Sequence, residues 1–206
     1  AGGKLLGFVA NDQYAAAAAD AGPAFDNVQH RRLLLLTPTY LLVVDELKAT
    51  DGKEHTFEWV YHNKGTKIAC DLPKGDGTLE GDPGYKYVQD LMAYRVPKEG
   101  LPSTAPKGEF KSDLALSESG SFAVTLTGEK VSAVVRMMGL PGDEVFTGTG
   151  PLKSVDDRAG MMVVRRKGTE ARFIAAIEPV ARDAKPTVTH VQLQGGSAGL
   201  TAAAFA

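Results

Sequence analysis

VQHRRLLLLTPTYLLVVDELKATDGKEHTFEWVYH, residues 28–62, reads as three consecutive antiparallel strands. The first, Gln29 to Leu36, ends at Thr37-Pro38, because proline has no amide hydrogen to give to a ladder and forces a turn. Tyr40 to Glu46 runs back as a nearly unbroken apolar strand, and Asp51-Gly52 is a turn dipeptide ahead of a third strand from Glu54. Successive side chains in a strand point to opposite faces, so His55, Phe57, Trp59 and Tyr61 share one face and Glu58, Val60 and His62 the other. An aromatic stripe of that kind predicts burial between two layers, worth roughly 1.5 to 3 kcal/mol per ring.

Outward from this stretch, glycine and proline cut the chain into pieces of strand length. Strands are expected over 4–11, 85–96, 109–117, 121–127, 130–138, 144–147, 161–167, 171–178, 187–193 and 200–205, with 131–138 and 161–166 apolar enough to be central. The alanine-rich run Tyr14 to Ala19 scores as a short helix or packed loop on propensity, although Gly22-Pro23 limits it to barely two turns. Segments 72–84 and 97–108, dense in Gly, Pro, Lys and Asp, are expected as surface loops. The pattern is that of an all-β, antiparallel two-sheet β-sandwich with little helix, one domain over residues 1–206.

Composition narrows the function classes. Hydrophobic residues make up 43% and charged residues 23% of the 206, an ordinary globular balance, and no run approaches the roughly 20 apolar residues that cross a bilayer, so no membrane partner is expected. A net charge of -2 with scattered lysines and arginines gives no broad cationic footprint, so no nucleic acid partner is expected either. Cys70 is the one cysteine, which excludes an internal disulfide and any cysteine-based metal cluster. The chain opens with AGGK and no methionine, as a processed or excised segment would, so export of a parent protein stays open.

Arg31 opening a strand, Pro38, the Tyr40 to Asp45 strand, and the His-aromatic strand from His55 to His62 together resemble the C-terminal β-sandwich of the heparinase II/III-like polysaccharide lyases. A second patch agrees: Leu140 to Asp143 with Phe146 to Pro151, then Met161 to Arg166 and Ala171 to Pro179. The resemblance implies the β-sandwich portion of an enzyme that cleaves an acidic, uronate-containing polysaccharide such as alginate or a glycosaminoglycan by β-elimination, and a periplasmic or secreted location. In that family a larger N-terminal helical toroid shares the cleft with the sandwich, and its absence from these residues implies a chain that is inactive alone and carries a docking surface for the toroid. The family's histidine segment of the His-x-His-x-Asp type has no match here, so no catalytic or metal residue transfers. No cofactor is expected in this chain, and a structural divalent metal belongs, if anywhere, to the parent enzyme.

Four residues stand out as candidates for substrate binding: Arg31, Arg32, Tyr61 and His62. In an adjacent pair such as Arg31-Arg32 or Arg165-Arg166 each face of the strand receives one guanidinium, and an outward one suits bidentate pairing with a uronate carboxylate. Phe57, Trp59 and Tyr61 suit either a core or a sugar-stacking platform. His55 and His62 point to opposite faces and cannot share an ion from that strand alone, whereas His30 and Asp45 can meet across the first hairpin and would need a distant third ligand to hold zinc. Gly142-Asp143 and Gly148-Thr149-Gly150 are expected in strand-linking turns with no helix behind them, Ser117, Ser119 and Ser121 have no nucleophile-elbow context, and Asp156-Asp157 suit capping or solvation beside Arg158. Two other functions fit the same residues: a stand-alone carbohydrate-binding module, which needs an exposed Trp59, and a purely structural β-domain.

Overall fold

The computed structural model describes residues 2–65, 67–101, 120–196 and 199–205, with 192–205 as backbone only. Among these residues fourteen strands, all paired antiparallel, follow in order: β1 (Lys4–Ala10), β2 (Ala15–Asp20), β3 (Val28–Leu36), β4 (Leu41–Ala49), β5 (His55–Asn63), β6 (Lys67–Cys70), β7 (Gln89–Arg95), β8 (Ser121–Thr127), β9 (Val131–Met138), β10 (Glu144–Pro151), β11 (Arg158–Gly168), β12 (Glu170–Ala181), β13 (His190–Gly196) and β14 (Gly199–Phe205). Eight form one sheet in the order β1-β2-β3-β4-β12-β9-β8-β6, four form the facing sheet β5-β11-β10-β7, and β13-β14 is a separate ribbon. The expected all-β two-sheet sandwich is what folds. No helix among the described residues is long and apolar enough to cross a membrane.

The hairpin β3-β4 pairs from Val28↔Ala49 to Leu36↔Leu41, and Thr37 closes its turn: its amide donates to the Tyr40 carbonyl at 2.9 Å and its hydroxyl oxygen accepts from the Tyr40 amide at 3.1 Å. The third strand corrects the expectation of a continuous meander. Asp51-Gly52, with Gly52 at φ +69°, carries the chain across to the other sheet, where β5 pairs with β11 from His55↔Gly168 to Asn63↔Gly160. The crossing sets the aromatic stripe against the apolar face of the eight-stranded sheet, where a hairpin would have laid both on one surface. Phe57 and Trp59, 4% and 5% exposed, pack there with Val164 and Met162 against Phe122, Val135, Met137 and Phe173. Tyr61 lies partly buried at the margin of this core, its ring 6.0 Å from that of Trp59.

Three other expectations need correction. The alanine run is strand β2, because β1 and β3 supply ladder partners on both sides (Ala17 faces Phe8 and Leu34), whereas an isolated helix of two turns cannot offset its own nucleation. Residues 85–96 are interrupted: Pro83–Tyr87 make a 3₁₀ turn capped by Asp82, whose carboxylate accepts the Gly84 amide at 2.6 Å, and the strand begins at Gln89. Gly148 and Gly150 lie inside β10, where an added Cβ would meet the Gln89 carbonyl oxygen at 2.8 Å and the Met161 sulfur at 2.8 Å, so these glycines permit close packing of neighbours. The predicted strand 109–117, most of the loop 97–108, and Ser117 and Ser119 lie outside the described residues.

Both outer faces of the sandwich are partly roofed. Val188 and Val191 cover Leu42, Ile174 and Ala176 on one side, and Leu79, Tyr85 and Val88 cover Phe146, Met161 and Val163 on the other. Exposed apolar side chains concentrate where β1-β2-β3 overhang the narrower sheet, with Leu5 at 64% and Phe8 at 68%.

Candidate functional site

Arginines converge on one end of the sandwich because register places them there. Glu58 on β5, Arg165 on β11, Glu144 on β10 and Arg95 on β7 are directly opposed across the four-stranded sheet, an alternating row of charge. Arg165 reaches Glu58 at 2.6 Å and Glu144 at 3.9 Å, while Arg95 reaches Glu144 at 2.7 Å. Tyr85 donates its hydroxyl to the same Glu58 at 2.5 Å, and Arg165 also donates to the Thr78 and Glu80 carbonyls, so this row pins the 71–88 segment to the sheet. Burial, then the Glu58 hydrogen bond and charge, pushes the Tyr85 hydroxyl well above its ordinary value.

Arg166, one residue on, points inward as strand alternation requires. Its side chain is 5% exposed, pairs with Asp143 at 2.7 Å, donates to the Met138 and Arg172 carbonyls, and lies 4.6 Å from the centre of the Phe173 ring. Asp143 also accepts the Leu140 amide at 2.8 Å. A buried pair so fully hydrogen-bonded closes the core and has no capacity left for a ligand.

Between these groups and the ends of β3, β4 and β12 lies a cleft of about 820 Å³. Arg31, Lys48, Arg95, Arg165, Arg166, Lys167 and Arg172 line it against Glu46, Asp143, Glu144 and Glu170, while Asp20 and Glu58 beside it hold Arg31 and Arg165. The arginines are held by acids, Arg172 by Glu46 at 3.0 Å and the half-exposed Arg31 by Asp20 at 3.4 Å. Lys48 and Lys167 are exposed and have no ion pair among the described residues. The cleft therefore presents two ammonium groups without an ion pair among the described residues, framed by guanidinium groups whose positions are fixed by their acids.

The four sequence candidates are not brought together. Arg31 lines the cleft. Arg32 turns to the opposite face and makes a two-point contact with Asp45, Nε at 2.6 Å and Nη2 at 2.9 Å, which raises the affinity of its guanidinium for its proton. Tyr61 lines a separate groove at the far end of the same strands, and His62 lies on the outer face of the four-stranded sheet, where desolvation lowers its pKa. Lys48, Arg95, Lys167 and Arg172 were not legible as site residues, since each is a single charge at a strand end and only the topology joins them.

The His30-Asp45 approach does form, at 2.7 Å, but Arg32 and the Trp59 indole N–H (3.1 Å) take the same buried carboxylate. Among the described residues no three His, Cys, Asp or Glu side chains come together to hold a metal ion, so the residues present do not fit a structural divalent metal and none enters the chemistry below.

No family model matches the sequence, and no curated protein does. Solved structures do match in fold. A mutant heparan sulfate lyase HepC from Pedobacter heparinus superposes over 98% of this chain and 27% of its own, at TM-score 0.55 and 7% identity. A heparinase III with methylated lysines superposes over 94% of this chain and 23% of its own, at TM-score 0.52 and 13% identity. This chain, which spans about a quarter of the length of those lyases, has the fold of one portion of them.

Proposed function

We propose that this chain is the β-sandwich domain of a polysaccharide lyase that cleaves an acidic, uronate-containing polysaccharide by β-elimination, bracing the catalytic domain and walling one side of its cleft. The observation that carries it is the superposition of nearly the whole chain on one quarter of two lyase chains. The cationic cleft supports it independently, since the chain as a whole is net negative. β-Elimination removes the proton at C5 beside the uronate carboxylate, and the carbanion-like charge that develops is tolerable only if that carboxylate is neutralised. Lys48, Lys167 and the exposed edges of Arg31 and Arg95 are the groups of this chain that serve that end, holding uronate or sulfate groups while an acid-base pair outside it moves the proton. Alginate and glycosaminoglycans both fit, and periplasm or secretion is the matching location. Burial of Trp59 favours this scaffold role over an aromatic sugar platform on β5.

Calorimetric titration with heparan sulfate and alginate oligosaccharides tests the reading. At least one binds, the logarithm of the binding constant falls linearly with the logarithm of salt concentration, and Lys48→Glu with Lys167→Glu lowers the binding constant about tenfold or more, the equivalent of roughly 1.4 kcal/mol. Absence of binding to any acidic oligosaccharide, or a double variant that binds as the parent does, refutes it.

A further inference from the structure

The groove at the other end of the sandwich differs in kind. It has a volume of about 450 Å³ and lies between the Leu36–Leu41 turn, the end of β5, the start of β9 and the end of β12. Among the described residues no charged side chain lines it; Tyr61, Asn63, Thr39 and Ser132 alternate with the apolar surfaces of Pro38 and Val131. Along β12, Arg172 in the cationic cleft and Pro179 in this groove are seven residues apart, ~23 Å at the rise of a strand, so the two sites do not share one short ligand.

Two features show that the groove is arranged for hydrogen bonding. Asn63 commits both ends of its amide locally: its oxygen accepts the Gly65 amide at 2.9 Å and its nitrogen donates to the Tyr61 hydroxyl oxygen at 3.2 Å. The Tyr61 hydroxyl is thereby an acceptor internally and keeps its own proton, which has no acceptor among the described residues. Its ring is held in turn, stacked on Trp59, whose indole is tied to buried Asp45. The Ser132 hydroxyl likewise has no partner among the described residues.

We infer that this groove is a second glycan site, taking an uncharged hexopyranose unit. A pyranose offers apolar C–H faces to Pro38 and Val131 and hydroxyl or acetamido oxygens to Tyr61 and Ser132; a uronate or sulfate would find no counter-charge here and would lose its hydration. The inference does not depend on the lyase reading, because it concerns different residues and a neutral ligand.

The test is titration of the chain with neutral hexasaccharides of N-acetylglucosamine and of glucose, followed by the fluorescence of Trp59, the one tryptophan. At least one hexasaccharide gives a saturable change that is insensitive to salt. Tyr61→Phe keeps the ring and the stack but removes the proton, and weakens binding about three- to tenfold, as loss of a single hydrogen bond does. Ser132→Arg, at a half-buried position on the groove margin, abolishes it, whereas Lys48→Glu with Lys167→Glu leaves it unchanged. No response to either sugar, equal binding by Tyr61→Phe, sensitivity to the lysine changes, or preference for a proline-rich peptide over both sugars overturns the inference.

Discussion

Asp45 is a buried carboxylate that ties the two sheets together. It is 1% exposed and accepts from Arg32 twice, from His30 and from Trp59, joining β3, β4 and β5 across both sheets. Asp45→Asn is expected to destabilise by about 2 to 4 kcal/mol in urea unfolding, below the roughly 3 to 5 for breaking a fully buried pair because the Arg32 side chain is 47% exposed. Trp59→Ala should cost roughly 3 to 5 kcal/mol as a large core truncation, and a change under about 1 kcal/mol would mean the ring is not core. Burial pushes the Cys70 thiol from 9.0 up to about 12. A raised folded-state value contributes stability that is complete below the unfolded value and is lost as pH rises through the folded one, so between about pH 9 and 12 Cys70→Ala should flatten the decline in melting temperature. In the native chain a disulfide reagent at pH 8 should react far more slowly than in urea. The aromatic stripe was legible from sequence because alternation alone assigns a strand's faces. The His30-Asp45 contact was legible from the hairpin, but the guanidinium that completes it was not, since Arg31 and Arg32 are equivalent until the two faces are known.

At the scale of elements, pairing overruled local preference wherever the two disagreed. Five consecutive alanines favour helix by propensity, yet a strand flanked on both sides satisfies every backbone group that a two-turn helix leaves half unmet. The third strand left its neighbour because the turn dipeptide Asp51-Gly52 fixes a change of direction and says nothing about which sheet receives it. The 71–88 segment is held by the Tyr85-Glu58-Arg165 contacts and a small apolar cluster. Tyr85→Phe removes a hydrogen bond to a carboxylate, worth about 1.5 to 3 kcal/mol when the partners are enclosed and less here, where both are partly solvated. Hydrogen exchange should then accelerate in 76–88 with little change in β9 or β12; uniform acceleration throughout would show that the segment unfolds only with the whole.

For the whole molecule, strand spacing and turn residues sufficed for the sandwich, because strand length and two-fold alternation are local properties of sequence. The cleft was not legible, because its cations come from β3, β4, β7, β11 and β12, strands separated by up to about 140 residues in sequence and joined only by topology. The most direct test of the domain reading is a lyase assay that follows the absorbance of the unsaturated uronate across alginate, heparan sulfate, hyaluronan and pectate, using this chain and the polypeptide encoded by the full reading frame that contains it. The account predicts no turnover by the chain alone, turnover of at least one substrate by the longer polypeptide, and a raised KM with little change in kcat when Lys48 and Lys167 are both replaced by Glu in it. Turnover by the isolated chain, or a longer polypeptide inactive on every acidic polysaccharide, would contradict it.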